Sequence, residues 1–366
     1  MKILHYAPTL QPGGATQLAS DLAYALQLFE VQSFLVAPAE SLAGQPASSQ
    51  LRLIPYHPFP VPGDWGHTWK LRSLIIERKP EIVQAYGFGA IATAAKALRL
   101  LPANRRPKLV GALTGYASGA AALHTSGLSA CDAITVISKH LRQHLKKSNP
   151  DMAKSWVIPY GVNETLCNLA YRSPAGWQEA WQAKHPECKE RFVVCVPGPI
   201  SEAHGTADIV PIVTTLMQQD IPVQILLAAN PKAVDASFMT LLRRRIRAAG
   251  IDAQVSWESD TTRLRDIMCS CDAVIDLALS PEAYNRPILE PLALGRPVAG
   301  YEHGVSGEYL EAFQPIGIVP VGDFDAIADV LSQWHTYPPD PAESIPYPYR
   351  LSDTAKSYHD LYTSLS

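Results

Sequence analysis

The chain lacks any run approaching the roughly 18 consecutive apolar residues that a helix needs to span a bilayer, so no segment is a candidate for a membrane-crossing helix. The apolar stretch after Met1-Lys2 is too short, and too soon interrupted, for a secretory signal; a cytoplasmic location is expected. Charge of one sign is also lacking. Lys and Arg total 31 against 34 Asp and Glu, a net charge of −3 with neutral His, and no global basic field argues for nucleic acid as a partner. There is no cysteine framework: the six cysteines at 131, 167, 188, 195, 269 and 271 are scattered, and the nearest pair, Cys269 and Cys271, matches neither redox nor zinc spacing. Reduced, mostly buried thiols are expected. The 11 histidines form no cluster with metal-ligand spacing, so no metal is assigned.

What is present is a globular chain. Apolar residues make up 47% and charged residues 18% of 366 residues, an ordinary balance and a length that suggests about two domains. Apolar runs at 3–7, 33–37, 81–86, 108–113, 133–137 and 156–159 alternate with helical stretches near 15–28, 90–101 and 139–147. The alternation restarts with runs at 192–196, 223–228, 273–279, 297–301 and 317–321, and with helices near 206–219 and 236–249. Continuous apolar strands separated by helices imply parallel sheets covered on both faces. The expectation is an α/β protein of two doubly wound, Rossmann-like domains, 1–165 and 192–340. The weakly periodic stretch 166–191 is read as their linker. The Pro-rich stretch 337–348 favours an extended connector before a last helix at 350–366.

Three segments suit ligand chemistry. In Gln11-Pro-Gly-Gly-Ala15, Gly13 and Gly14 let the backbone approach a ligand, and the helix that follows offers N–H groups to an anion; sterics alone would also explain them. Gly87-Phe-Gly89 fits a dinucleotide fingerprint on paper, but that fingerprint needs an acidic residue about 20 positions on. There is no Asp or Glu from Ile82 to Cys131, which rejects NAD and leaves Gly87 and Phe88 as turn residues or part of an acceptor surface. The third segment places Glu282 and Glu290 with seven residues between them in Glu282-Ala-Tyr-Asn-Arg-Pro-Ile-Leu-Glu290. Carboxylates accept hydrogen bonds from vicinal hydroxyls, so one suits a sugar and the other a ribose. The turn between them would aim N–H groups at a diphosphate. Gly295 and Pro297 read as the stop of the helix, and Pro291 inside it removes a backbone bond. Such a pair is also common by chance.

Two further features carry alternative readings. The stretch 54–70 holds four prolines with Tyr56, Phe59, Trp65 and Trp69; it reads as a rigid surface loop, or as an acceptor-binding or membrane-dipping one. The basic runs 139–147 and 243–247 read as solvated helix faces, or as contacts to anionic lipid.

In this order the motifs resemble glycosyltransferase family 4 over nearly the whole chain. Gly13-Gly14 looks like the family's opening glycine loop, and Lys79-Pro-Glu-Ile-Val-Gln-Ala85 like the strand before its acceptor region. Ala130-Cys-Asp-Ala-Ile-Thr-Val-Ile-Ser138 is similar to a strand leading into a helix, and Val157-Ile-Pro-Tyr-Gly-Val-Asn163 to the hinge motif. Glu282 and Glu290 resemble the paired glutamates, and residues 304–308 the glycine-rich turn after them. The resemblance implies the GT-B fold, two Rossmann-like domains facing a cleft, with the acceptor on the 1–165 side, the donor on 192–340 and the last helix crossing back onto the first domain. It implies a metal-independent, retaining transfer of a hexosyl or related sugar from a nucleotide-sugar to an acceptor hydroxyl, the leaving phosphate helping to take the acceptor proton. The nucleotide-sugar is then a substrate and no cofactor is needed, with UDP favoured over GDP. Residues 282–308 resemble those of bacterial enzymes that build surface polysaccharide or lipopolysaccharide core. A glycan or lipid-linked acceptor and a peripheral place at the inner membrane would follow.

The site that the resemblance implies has Glu282 as catalytic residue. Gly13, Gly14, His204, Ala283, Tyr284, Asn285, Arg286 and Glu290 surround the donor, and Thr114, Gly87 and Phe88 lie on the acceptor side. Glu282 and Glu290 are expected to face the cleft, with Glu290 at the start of a helix. Departures from the pattern matter as much. The family's Gly-Arg reads Gly198-Pro199, His204 stands at its Lys, Thr114 replaces a histidine, and Gly-Phe-Gly reads Ala283-Tyr-Asn285. A diphosphate in a closed site needs partners. Pro199 donates nothing, and a histidine of ordinary pKa is mostly neutral at pH 7. Arg286 is therefore expected to bind phosphate, or else to pair with a nearby carboxylate. The rival readings are a non-catalytic GT-B protein that binds a sugar or partner, and a nucleotide-sugar epimerase, for which no acid–base pair is evident.

Overall fold

The computed structural model describes residues 1–8, 15–42, 48–56, 65–116, 127–149, 152, 155–230 and 234–365. The chain divides into two compact units, Met1–Gly161 with Tyr347–Ser366, and Val162–Pro346.

The first unit holds one parallel sheet of β1 (Lys2–Tyr6), β2 (Gln32–Pro38), β3 (Leu51–Tyr56), β4 (Ile82–Tyr86), β5 (Lys108–Leu113), β6 (Ala133–Val136) and β7 (Trp156–Val157), in the order 3-2-1-4-5-6-7. Its helices are α1 (Ala15–Ala25), α2 (Ala39–Leu42), α3 (Trp65–Arg78), α4 (Phe88–Arg99) and α5 (Lys139–Ser148). Every residue of β4 is buried, as a strand covered on both faces requires. The stretch 54–70, read as a loop, instead contains the end of β3 and the start of α3. Pro55 is tolerated because β3 is the edge strand, and His67, Thr68, Leu71 and Ile75 give α3 its buried stripe.

The second unit repeats the plan. Strands β8 (Phe192–Pro197), β9 (Val223–Ala228), β10 (Val255–Glu258), β11 (Ala273–Asp276), β12 (Val298–Tyr301) and β13 (Ile318–Val319) form a parallel sheet in the order 10-9-8-11-12-13. Its helices are α6 (Trp177–Lys184), α7 (Ile209–Gln218), α8 (Ala236–Ala248), α9 (Leu264–Cys269), α10 (Arg286–Ala293), α11 (Gly304–Phe313) and α12 (Phe324–Thr336). Ile212, Leu216, Ile225, Leu242, Ile327 and Leu331 anchor its core. The stretch 166–191, read as a linker, is folded into this unit. Trp181 of α6 is buried, the Tyr171 hydroxyl donates to Asp266 Oδ1 at 2.7 Å, and Lys184 pairs with the buried Glu258 at 2.5 Å.

Helix α13 (Leu351–Leu365) belongs to the first unit. It lies over a buried polar stripe of the sheet. The Tyr358 hydroxyl bonds Thr135 Oγ1 at 2.9 Å, and that of Tyr362 donates to Gln84 Oε1. Gln84 sits beside His5 in the β1–β4 register, and His5 Nδ1 lies 2.9 Å from the Tyr86 hydroxyl. At the start of the helix, Gly161 N–H donates to Thr354 Oγ1 at 2.9 Å, and a Cβ on Gly161 would sit 2.1 Å from the Arg350 carbonyl carbon. Most buried polar groups are paired, so this stripe constrains what may cover it, although His5 Nε2 and Gln84 Nε2 have no partner among the described residues.

Candidate functional site

In doubly wound sheets ligands bind outside the carboxyl ends of the strands, where the strand order reverses. In the second unit that point lies between β8 and β11, and the loops after β8, β11 and β12 meet there. After β8 the chain passes Gly198, whose φ of +111° suits glycine, and turns through Glu202–His204. Gly205 follows at φ +58°, and a Cβ there would lie 1.9 Å from the Leu277 carbonyl oxygen. Leu279 N–H then donates to Ala203 O at 2.9 Å, tying the β11 loop to the β8 loop. Val305 N–H donates to Glu282 O at 3.0 Å, and a Cβ on Gly304 would lie 2.8 Å from the Glu282 backbone, which ties the β12 loop in as well.

These ties bring predicted residues together. His204 Nε2 lies 3.5 Å from Glu282 Oε1, and its Nδ1 lies 2.7 Å from Ser201 Oγ. Both side chains are about one-third exposed, with 31% and 33% of their area open to solvent, so the pair is accessible to a ligand. Asn285, three residues on from Glu282, is buried. Its Nδ2 donates to Asp276 Oδ2 at 2.9 Å and to Ser306 Oγ at 3.0 Å. Burial raises the pKa of Asp276; the Glu282 carboxylate adds to that shift and the Ser306 hydroxyl opposes it.

Helix α10 starts at Arg286, with Pro287 at its second position. Glu290, expected at a helix start, lies one turn inside it, because the helix already begins at Arg286. Glu290 is buried, and its Oε1 accepts from Arg286 Nε at 2.5 Å. Gly295 ends the helix at φ +74°, its N–H bonded to Leu292 O and that of Arg296 to Pro291 O. That is the paired-bond glycine stop expected from the sequence. Ala283 is buried and Tyr284 half-buried. The sequence reading missed Arg265, whose positive charge is favoured by the neighbouring Cys167 and Glu290 although burial works against it. Its Nε is buried with no hydrogen-bond partner among the described residues. Burial likewise pushes the Cys167 thiol up to about 12. It also missed Asp276, which lies inside the apolar run read at 273–279, and Ser306, which lies in the stretch read as a glycine-rich turn.

In the first unit, Gly87 (φ +86°) precedes α4 and Thr114 follows β5, both at strand carboxyl ends. The Phe88 side chain is buried and does not form surface. Gly13 and Gly14 lie outside the described residues.

Residues 12–166 match the family model of glycosyltransferase family 4. No curated protein sequence matches the chain. A glycosyltransferase from Rickettsia africae is similar in structure, with a TM-score of 0.81 at 15% identity, over 100% of this chain and 98% of that one. Anabaena HepE, solved in complex with UDP-glucose, gives 0.79 at 16% identity over 100% of both chains. The lipopolysaccharide outer core galactosyltransferase WaaB gives 0.68 at 11% identity over 100% of both. Residues 12–166 are thus similar to glycosyltransferase family 4, and the two parallel-sheet units have the GT-B fold.

Proposed function

We propose that the protein transfers a sugar from a nucleotide-sugar, a UDP-sugar in preference to a GDP-sugar, to an acceptor hydroxyl with retention of configuration. The observation that carries this is the convergence of three strand-end loops on the partly exposed His204–Glu282 pair, with the Arg286 cation at the start of the next helix. Glu282 faces the reacting sugar in this reading, Arg286 and His204 meet the diphosphate, and Glu290 accepts from the ribose. No protein nucleophile is required when the leaving phosphate takes the acceptor proton; the protein positions the reactants and stabilises charge. HepE solved with UDP-glucose and the name of WaaB support a UDP donor and a surface-glycan acceptor.

Calorimetric titration with a panel of UDP- and GDP-sugars, alongside donor hydrolysis, tests the reading. Saturable binding of a UDP-sugar is expected, and Glu290→Ala is expected to weaken it by roughly 1.5–3 kcal/mol, the range for hydrogen bonds to charged groups. An unchanged dissociation constant in that variant would remove Glu290 from the ribose. A second reading has its own observation: residues 198–205 contain no Lys or Arg, and Arg286 is engaged with Glu290. Binding without hydrolysis or transfer by the wild type, with any donor, would establish a non-catalytic binding protein instead.

A peripheral membrane position is part of the proposal. Among the described residues no helix is long and apolar enough to cross a membrane. Trp65 and Trp69 of α3 are 61% and 51% exposed, and α5 leaves Lys139, Lys146 and Lys147 exposed around its buried Leu141 and Leu145. Interfacial tryptophans and clustered cations suit an anionic surface. The protein is expected to sediment with vesicles containing phosphatidylglycerol and not with pure phosphatidylcholine. Trp65→Ser with Trp69→Ser should reduce that binding several-fold; equal binding by the double variant would discard this surface.

A further inference from the structure

Between the two glutamates lies a residue that faces inward. Asn285 is 4% exposed, and both hydrogens of its side-chain amide are used, one on Asp276 Oδ2 and one on Ser306 Oγ. The Ser306 hydroxyl donates in turn to the same Asp276 oxygen at 2.6 Å. The result is a closed ring of three hydrogen bonds. Its members come from the end of β11, the residue before α10 and the first turn of α11. Asp276 also accepts from Ala278 N–H at 3.3 Å, so the acid is held at the root of the same loop. The other end of the 282–285 turn is fastened independently, by Val305 N–H on Glu282 O and by the close approach of Gly304.

We propose that Asp276, Asn285 and Ser306 form a clamp that fixes the 282–286 turn before any donor arrives, with Asn285 and Ser306 as positioning residues for Glu282 and Arg286. A turn fastened at both ends loses little freedom when a ligand binds, so less of the binding energy goes into ordering it. The ring requires three particular side chains from three elements, whereas backbone bonds alone would hold a helix start. Its position, directly between the proposed sugar-facing carboxylate and the proposed phosphate-facing cation, makes its effect on the site direct. The positioning role rests on the donor reading above; the clamp itself does not.

The test therefore has two arms, both on the full chain. Hydrogen exchange, without ligand, is measured over residues 282–289 in the wild type, Asn285→Ala, Ser306→Ala and Ser306→Thr. The two alanine variants are expected to exchange about tenfold faster there, the change that corresponds to about 1.4 kcal/mol, while peptides from β8 and β9 keep their protection. Ser306→Thr keeps the hydroxyl and should stay close to wild type. If Asn285→Ala does not fold, Ser306→Ala decides. Wild-type protection in a folded alanine variant overturns the clamp. In the second arm UDP-glucose is titrated, and its dissociation constant is expected to rise about tenfold in Ser306→Ala and to recover in Ser306→Thr. Faster exchange with unchanged UDP-glucose affinity overturns the positioning role. A wild type that binds no UDP-glucose defeats the donor reading, and the exchange arm still decides the clamp.

Discussion

Arg286→Ala is expected to lower turnover with the true donor by several-fold to about a hundredfold or more while the protein stays folded, the upper end reaching the scale for removal of one charge-stabilising donor. Arg286 opens α10, where the helix dipole is positive and a cation is disfavoured. Its neighbours leave the helix start poor in donors for a phosphate. Pro287 has no N–H, and the N–H groups of Ile288 and Leu289 both return to Asn285 O. A diphosphate at this point would then depend on the guanidinium. Arg286 also holds the outer place in its pair, its side chain 43% exposed against 10% for Glu290. An Arg preceding a Glu by four residues is the weaker orientation for such pairs on a helix. Glu290 thus holds a guanidinium that stays partly open to solvent. If Arg286 served only to neutralise Glu290, Arg286→Ala would strand a buried carboxylate and lower stability with no specific effect on turnover. Steady-state kinetics with thermal unfolding on the same samples separates the two. Full turnover in folded Arg286→Ala would move the charge role to His204.

How much of this was legible in the sequence depended on where the defining forces lie. The run read at 223–228 coincides with β9, and the helix read at 236–249 with α8, because each carries its own periodicity and ends at recognisable stops. Strand β10 escaped notice: it is a sheet edge containing Ser256 and Glu258, buried by partners far away in sequence. Helix α11 read as a turn because Gly304 and Gly307 lower helix propensity; the structure shows Gly304 there to admit the Glu282 backbone. In the site, Glu282, Arg286 and Glu290 stand close in the chain and drew attention through their spacing. The partnership of His204 with Glu282, and of Asn285 with Asp276 and Ser306, exists only once β8, β11 and β12 are side by side. An aspartate ending a strand and a serine in a glycine-rich stretch carry no local mark of that pairing. The sequence singles out Asn285 for the donor, whereas in the fold its side-chain amide is taken up by Asp276 and Ser306.

The first unit is expected to lose stability steeply as the pH falls below 6.5, and His5 is the reason. Burial lowers the His5 pKa from 6.5 to about 3. The ring therefore stays neutral in the fold, with Nδ1 toward the Tyr86 hydroxyl and Nε2 without a partner among the described residues. Between those two pKa values the unfolded chain binds a proton that the folded chain does not. Stability then rises with pH across this window, by about 1.4 kcal/mol per pH unit. Above 6.5 neither state is protonated and the contribution is constant; toward pH 3 the penalty approaches about 4–5 kcal/mol, a large share of what usually holds a domain together. Tyr86, Tyr358 and Tyr362 do not titrate in this range, because burial pushes their hydroxyls well up. Asp276 acts in the opposite sense, since its raised pKa lets the folded form take up a proton first. It belongs to the second unit, so the two effects separate when the units are followed individually. Urea unfolding, read by hydrogen-exchange pulses on β1 and β4 peptides between pH 6.5 and 4, should show uptake of about one proton on unfolding in the wild type beyond that in His5→Gln. Glutamine keeps an acceptor for Tyr86 and has no titrating group. Parallel pH profiles for the two proteins would mean that His5 is protonated in the fold, and the polar layer beneath α13 would need another account of its charge.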